Sequence, residues 1–157
     1  MKRMLTDYQE KFYNKLFTRT MELKKDDYSM AKKLAAWKLK IQKSWDNIEV
    51  VSDNISNSAE GSYQLGEEYF GSVVVDLKDI PPSDVGLELV VSDKGENDRI
   101  ELVHKQEFVL EKYEEGRAYF KGKIIPNTPG SFTYGFRLFP KNENLSHRQD
   151  FICLKWI

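Results

Sequence analysis

YSMAKKLAAWKLKIQKSWDNIEVV, residues 28–51, changes its periodicity partway along, and that change decides the fold. Leu34, Trp37 or Lys38, Ile41 and Trp45 recur at three- and four-residue steps, the spacing that lines one face of a helix. Ile48, Val50 and the segments beyond alternate instead, as strands do when one face is buried. The switch falls at Asp46-Asn47, so helix is predicted before it and sheet after it.

Upstream, Met4, Tyr8, Phe12 and Leu16 step by four, with Leu5, Tyr13 and Phe17 widening the stripe. This predicts an amphipathic helix from Lys2 to about Leu23. Two Tyr and two Phe on its apolar side are more aromatic surface than a free arm shows to water, so Met4, Tyr8, Phe12 and Leu16 form a candidate docking face. Its cover is either the second helix or a surface outside this chain, and a second copy of the chain would serve as well, giving a homo-oligomer. Asp26 or Asp27 can cap the second helix. Ala31, Ala35 and Ala36 keep one of its sides thin, and the short Lys24-Lys25-Asp26 link predicts an α-helical hairpin.

Downstream, Glu67–Leu77 alternates Tyr69, Val73 and Val75 in a β-branched run, and Ile80-Pro81-Pro82 ends that strand because proline cannot donate to a ladder. Leu87, Leu89 and Val91 make the inward set of the next strand. Ile100–Tyr113 is long for one strand and could be two, split near Lys105-Gln106. Ala118, Phe120 and Gly122 alternate with charged neighbours, and Phe132, Tyr134, Phe136 and Leu138 share one face of another strand. Asp150–Ile157 closes the pattern, with Phe151, Cys153 and Lys155 on one side and Ile152, Leu154 and Trp156 on the other. The Pro129-Gly130 turn shortly before Tyr134 matches a tyrosine corner, in which a Tyr hydroxyl bonds back to upstream backbone. These strands and turns predict a mainly β protein: an immunoglobulin-like antiparallel β-sandwich at 47–157, preceded by an N-terminal helical hairpin at 1–46.

Composition bounds the function. The 157 residues, 40% hydrophobic and 31% charged, suffice for one domain with a core plus the helical arm. A net charge of -1 conceals an asymmetry: residues 1–45 carry 12 Lys and Arg against 5 Asp and Glu, while the remainder carries 12 against 20. Lysines spread around the arm read as a solvated helix face, so no nucleic acid is expected as partner. One cysteine, Cys153, excludes an intrachain disulfide and suits a reducing, cytoplasmic setting. No apolar run approaches the roughly 20 residues of a membrane helix, and Met1-Lys2-Arg3 does not lead into a signal-peptide core, so no membrane partner is expected.

Chemistry-bearing constellations are sparse. His104, His147 and Cys153 lack ligand spacing for zinc, and no Gly-rich phosphate loop follows a strand, so neither metal, cofactor nor catalytic residues are expected in this chain. His147, Arg148 and Asp150 gather an imidazole, a guanidinium and a carboxylate at a loop-to-strand entry. The cluster can satisfy free backbone or hold an anion or sugar hydroxyls. Trp156 or Tyr63, if exposed, could stack on a sugar ring.

Taken in order, MKRMLTDYQEKFYNKL (1–16), LAAWKLKIQKSWDNIEVVS (34–52), LELVVSD (87–93), PGSFTYGFRLFPKNENLSHRQDF (129–151) and the final WI resemble the C-terminal end of bacterial alpha-glucan phosphorylases, in the branch with an extra tail domain. Arg3-Met4-Leu5, Asp7-Tyr8 and Phe12-Tyr13 look like the last helical region of the phosphorylase body, and the β part looks like the tail. The resemblance implies a parent enzyme that uses pyridoxal phosphate and inorganic phosphate to release glucose 1-phosphate from alpha-1,4-glucan. The segments that hold the cofactor, phosphate and glucan have no counterpart here, so this chain is expected to be non-catalytic: a fragment, a truncated gene product or a dissected domain. It would pack on the catalytic body and help contact glucan. The competing reading is a stand-alone interaction module whose basic arm binds an acidic partner; salt-sensitive binding would mark it, and maltooligosaccharide binding the other.

Overall fold

The computed structural model describes residues 2–55, 63–94 and 99–157, and the chain divides into two compact units, Met1–Lys40 and Ile41–Ile157. The first is helical. Helix α1 (Lys2–Tyr8) passes through a π-helical turn at Gln9–Tyr13 into α2 (Asn14–Ser44), whose last four residues belong to the second unit. Within α2 the backbone leaves the helical region at Lys25, with ψ 149°, and then enters the left-handed region at Asp26, Asp27 and Tyr28. Arg19 Nη1 lies 3.5 Å from Met30 Sδ across this break. In an unbroken helix eleven residues rise roughly 16 Å, so the chain turns back on itself here. Neither aspartate has the extended backbone of an N-cap; Asp27 instead takes the Lys32 ammonium at 2.6 Å.

The second unit is β. Among the described residues, β1 (Glu49–Ile55), β2 (Tyr69–Asp76), β3 (Val85–Lys94), β4 (Ile100–Glu114), β5 (Arg117–Ile124), β6 (Thr133–Pro140) and β7 (Lys155–Trp156) form one curled antiparallel sheet ordered β1-β2-β5-β4-β3-β6-β7. Of the two readings of Ile100–Tyr113, one strand or two, the structure has one. This long β4 changes partner, pairing with β3 as far as Phe108 and with β5 from Val109 onward. Changing partners gives each half of β4 a full ladder, so no break in the strand is needed. The final strand is shorter than expected, Lys155–Trp156 rather than Asp150–Ile157, and Asp150 belongs instead to a 3-10 turn at Arg148–Asp150.

The alternating residues fill the core. Tyr69, Val73, Val75, Leu87, Leu89, Ala118, Phe120, Phe136 and Leu138 are buried, as the two-residue period requires. Phe108 lies over the paired glycines Gly71 and Gly122; a Cβ would come within 2.6 Å of its ring at the first and 2.3 Å at the second. Only glycine leaves that ring its place. Ile41, Trp45 and Ile48 are buried as well, so the end of α2 and the 3-10 turn that follows it, Trp45–Asn47, contribute to the core.

Candidate functional site

The outer face of β3, β6 and β7 carries the densest polar arrangement. Because Leu87, Leu89, Phe136 and Leu138 point inward, Glu88 and its cross-strand partner Arg137 point outward, and Arg137 in turn pairs with Trp156. Yet Glu88 is only 1% exposed. The segment between β6 and β7 brings Arg148 onto it: Arg148 donates from Nη1 to Oε2 at 2.9 Å and from Nη2 to Oε1 at 3.1 Å. Arg137 donates from Nε to Oε1 at 2.6 Å and again from Nη2. A buried carboxylate held by two guanidiniums in this way is charge-compensated and fixed in orientation. Each guanidinium also rests on an aromatic ring, Arg148 on Phe139 at 4.2 Å and Arg137 on Trp156 at 5.2 Å.

The His147, Arg148 and Asp150 cluster therefore divides. His147 and Asp150 cap the turn reciprocally, Gln149 N donating to His147 Nδ1 at 3.1 Å and His147 N to Asp150 Oδ2 at 3.0 Å. Arg148 reaches Glu88. Sequence reading missed Glu88 and Arg137, although the signal was present: a lone acid inside Leu87-Glu88-Leu89 and a lone base inside Phe136-Arg137-Leu138, both on otherwise apolar strands. Tyr134 sits half-exposed near the start of β6 with its ring edge-on to Phe136 at 6.3 Å. Tyr63 packs edge-on against Tyr69 at 4.8 Å.

Elsewhere on this unit, Lys78 Nζ bridges Glu49 and Asp76, each at 2.7 Å, and its hydrogen bonds hold the Asp76 carboxyl below the usual aspartate range while the lysine is pushed up. Burial, with Asp46 adding to it, raises the Cys153 thiol above its ordinary value. A cavity of about 490 Å³ lies among Val85, Phe108, Leu110 and Phe120, with the Lys141–Glu107 ion pair (2.6 Å) among its lining residues. Among the described residues no group of three or more His, Cys, Asp or Glu could hold a metal, and no helix is long and apolar enough to cross a membrane.

On the helical arm the candidate docking face is turned outward: Met4, Tyr8, Phe12 and Leu16 are 50% to 63% exposed. Tyr13, Phe17 and Met21 extend it. Tyr8 and Phe12 touch each other, with centroids 5.8 Å apart.

An amphipathic helical arm joined to an all-antiparallel β domain is the class of protein these features define. Residues 45–157 match the glycogen phosphorylase C-terminal domain, and the chain belongs to that family. It is 27% identical to maltodextrin phosphorylase from Thermococcus litoralis over 158 residues, which is 98% of this chain and 18% of that protein. The chain thus spans less than a fifth of the relative it matches.

Proposed function

We propose that this chain is the non-catalytic C-terminal accessory region of a cytoplasmic alpha-glucan phosphorylase, with residues 1–46 ending the catalytic body and 47–157 forming an immunoglobulin-like tail that packs on that body and contacts glucan. The parent reaction is phosphorolysis of alpha-1,4-glucan to glucose 1-phosphate. One observation carries the reading: the arm lies outside the matched domain but inside the alignment with the relative, and it presents Met4, Tyr8, Phe12 and Leu16 to solvent. A face of that kind needs a partner, and the body that precedes the tail is the nearest one. The strand order supports the immunoglobulin-like reading, since β1-β2-β5-β4 and β3-β6-β7 follow the ABED and CFG sheets of such sandwiches. On that correspondence Tyr134, at the start of the sixth strand, stands at the position of the corner tyrosine.

Among the described residues, those lining the cavity at Phe108 and Phe120 do not suit the parent's pyridoxal phosphate. Lys141 is the lysine at the cavity, and it is committed to Glu107; the other lining residues there are mostly apolar, with no arginine among them to hold a phosphate. No catalytic step is therefore assigned to this chain.

The test is complementation. The 157-residue chain, mixed with a phosphorylase body lacking its own C-terminal region, should co-elute with it on size exclusion, and Tyr8→Ser with Phe12→Ser should abolish co-elution. The chain alone should release no glucose 1-phosphate from maltodextrin and phosphate. Release by the chain alone, or failure of the unmodified chain to bind any phosphorylase body, overturns the proposal.

A further inference from the structure

Trp156 is the exposed tryptophan of this chain; Trp45 is buried and Trp37 half-buried. Its six-membered ring rests on the β6 backbone at Gly135, where a Cβ would meet Cε3 and Cζ3 at 3.5 and 3.6 Å. The residue is nevertheless 55% exposed. Beside it stands Arg137, which commits Nε and Nη2 to Glu88 and so has Nη1 outside that pair. The Glu88 carboxylate is itself buried and held from the other side by Arg148, so the guanidinium is locked before any ligand arrives. A glycine-backed indole with a fixed guanidinium 5.2 Å from its ring centroid is a preorganised combination: an apolar surface for C–H groups and a directional N–H for hydroxyls.

We propose that Trp156 and Arg137 form a surface site for a neutral alpha-1,4-linked glucan, the indole stacking on the C–H face of one glucose ring and Arg137 Nη1 donating to its hydroxyls. The choice of glucan rests on the phosphorylase reading above. Of the two aromatic candidates Trp156 is the better placed, because Tyr63 is half-buried edge-on against Tyr69, while Trp156 stays exposed with the Arg137 guanidinium 5.2 Å from its ring centroid.

The experiment titrates the full 157-residue chain with maltoheptaose, reading tryptophan fluorescence and the indole N–H resonance of Trp156. A saturable shift of that resonance is expected. Trp156→Ala should weaken binding by about tenfold or more, the scale of one lost aromatic contact, whereas Trp156→Tyr, which keeps a ring, should retain most of the affinity. Val109→Ala, on an exposed β4 position away from Trp156, should leave it unchanged. No shift at millimolar maltoheptaose, an equal affinity in Trp156→Ala, or the same shift with inorganic phosphate alone would each overturn the site. Binding to the phosphorylase body is measured in parallel. If Trp156→Ala loses the body and maltoheptaose shifts nothing, Ile152, Leu154 and Trp156 are a protein contact and the glucan site is wrong while the phosphorylase reading stands. If maltoheptaose titrates Trp156 and no body binds, the reverse holds.

Discussion

The helical arm and the β domain are both amphipathic, but they use that property in opposite directions. In the β domain Val73, Leu87, Phe120 and Leu138 are turned in and find one another across the curled sheet. In the arm Tyr8, Phe12, Leu16 and Phe17 are turned out. An alternating strand can be covered by neighbours that the same chain supplies, whereas a helical stripe of this width exceeds what the arm itself covers. Each exposed large apolar side chain forgoes on the order of 1.5 to 3 kcal/mol that burial would supply, and that deficit is what a docking partner would recover.

The comparison can be broken most severely at the junction. A protein beginning at Ile41 should fold and melt cooperatively, because it keeps every core residue of the second unit. One beginning at Asp46 loses Ile41 (0% exposed) and Trp45 (4%) and should be less stable by roughly 4 kcal/mol or more. Urea midpoints measured by circular dichroism compare the two; equal midpoints would mean that the end of α2 and the turn that follows it add nothing to the β core.

Inside the sheet, Gly122→Ala sharpens the contrast. Its Cβ would stand 2.3 Å from the buried Phe108 ring, so the ring or the backbone must move, at a cost of about 1 to 3 kcal/mol. A thermal melt within experimental error of the unmodified protein would show that the core is looser there than the packing indicates.

The smallest effect on stability is expected on the arm. Replacing Tyr8 and Phe12 with Ser removes exposed aromatics and should leave the melting curve almost unchanged. Its consequence is for association: the isolated chain should self-associate through this face, and the double substitution should return it to a monomer in light scattering. An oligomer that persists would place the contact elsewhere.

Much of this architecture was legible in the sequence. The change from three- and four-residue steps to alternation at Asp46-Asn47 placed the boundary between α2 and β1, because the two backbones repeat their side chains at different periods. Leu34, Trp37 or Lys38, Ile41 and Trp45 were read as one stripe, and of these Ile41 and Trp45 are buried. The ordered similarity to the phosphorylase C-terminal region was legible too, since it lies in local residue strings. The turn within α2 was expected at Lys24-Lys25-Asp26; less legible was its conformation, with Asp26, Asp27 and Tyr28 in left-handed backbone and no glycine to announce it.

What the sequence determined by itself, then, was the kind and order of the elements and the family to which they belong, because periodicity and local strings are properties of neighbours along the chain. The partner change of β4 at Phe108, the burial of Glu88 on an outward face, and the meeting of Arg137, Arg148 and Trp156 were decided by tertiary structure alone. Arg148 is 60 residues from Glu88 in sequence. No local pattern encodes such a contact, which exists only because antiparallel register sets strands side by side and the segment before β7 crosses over them.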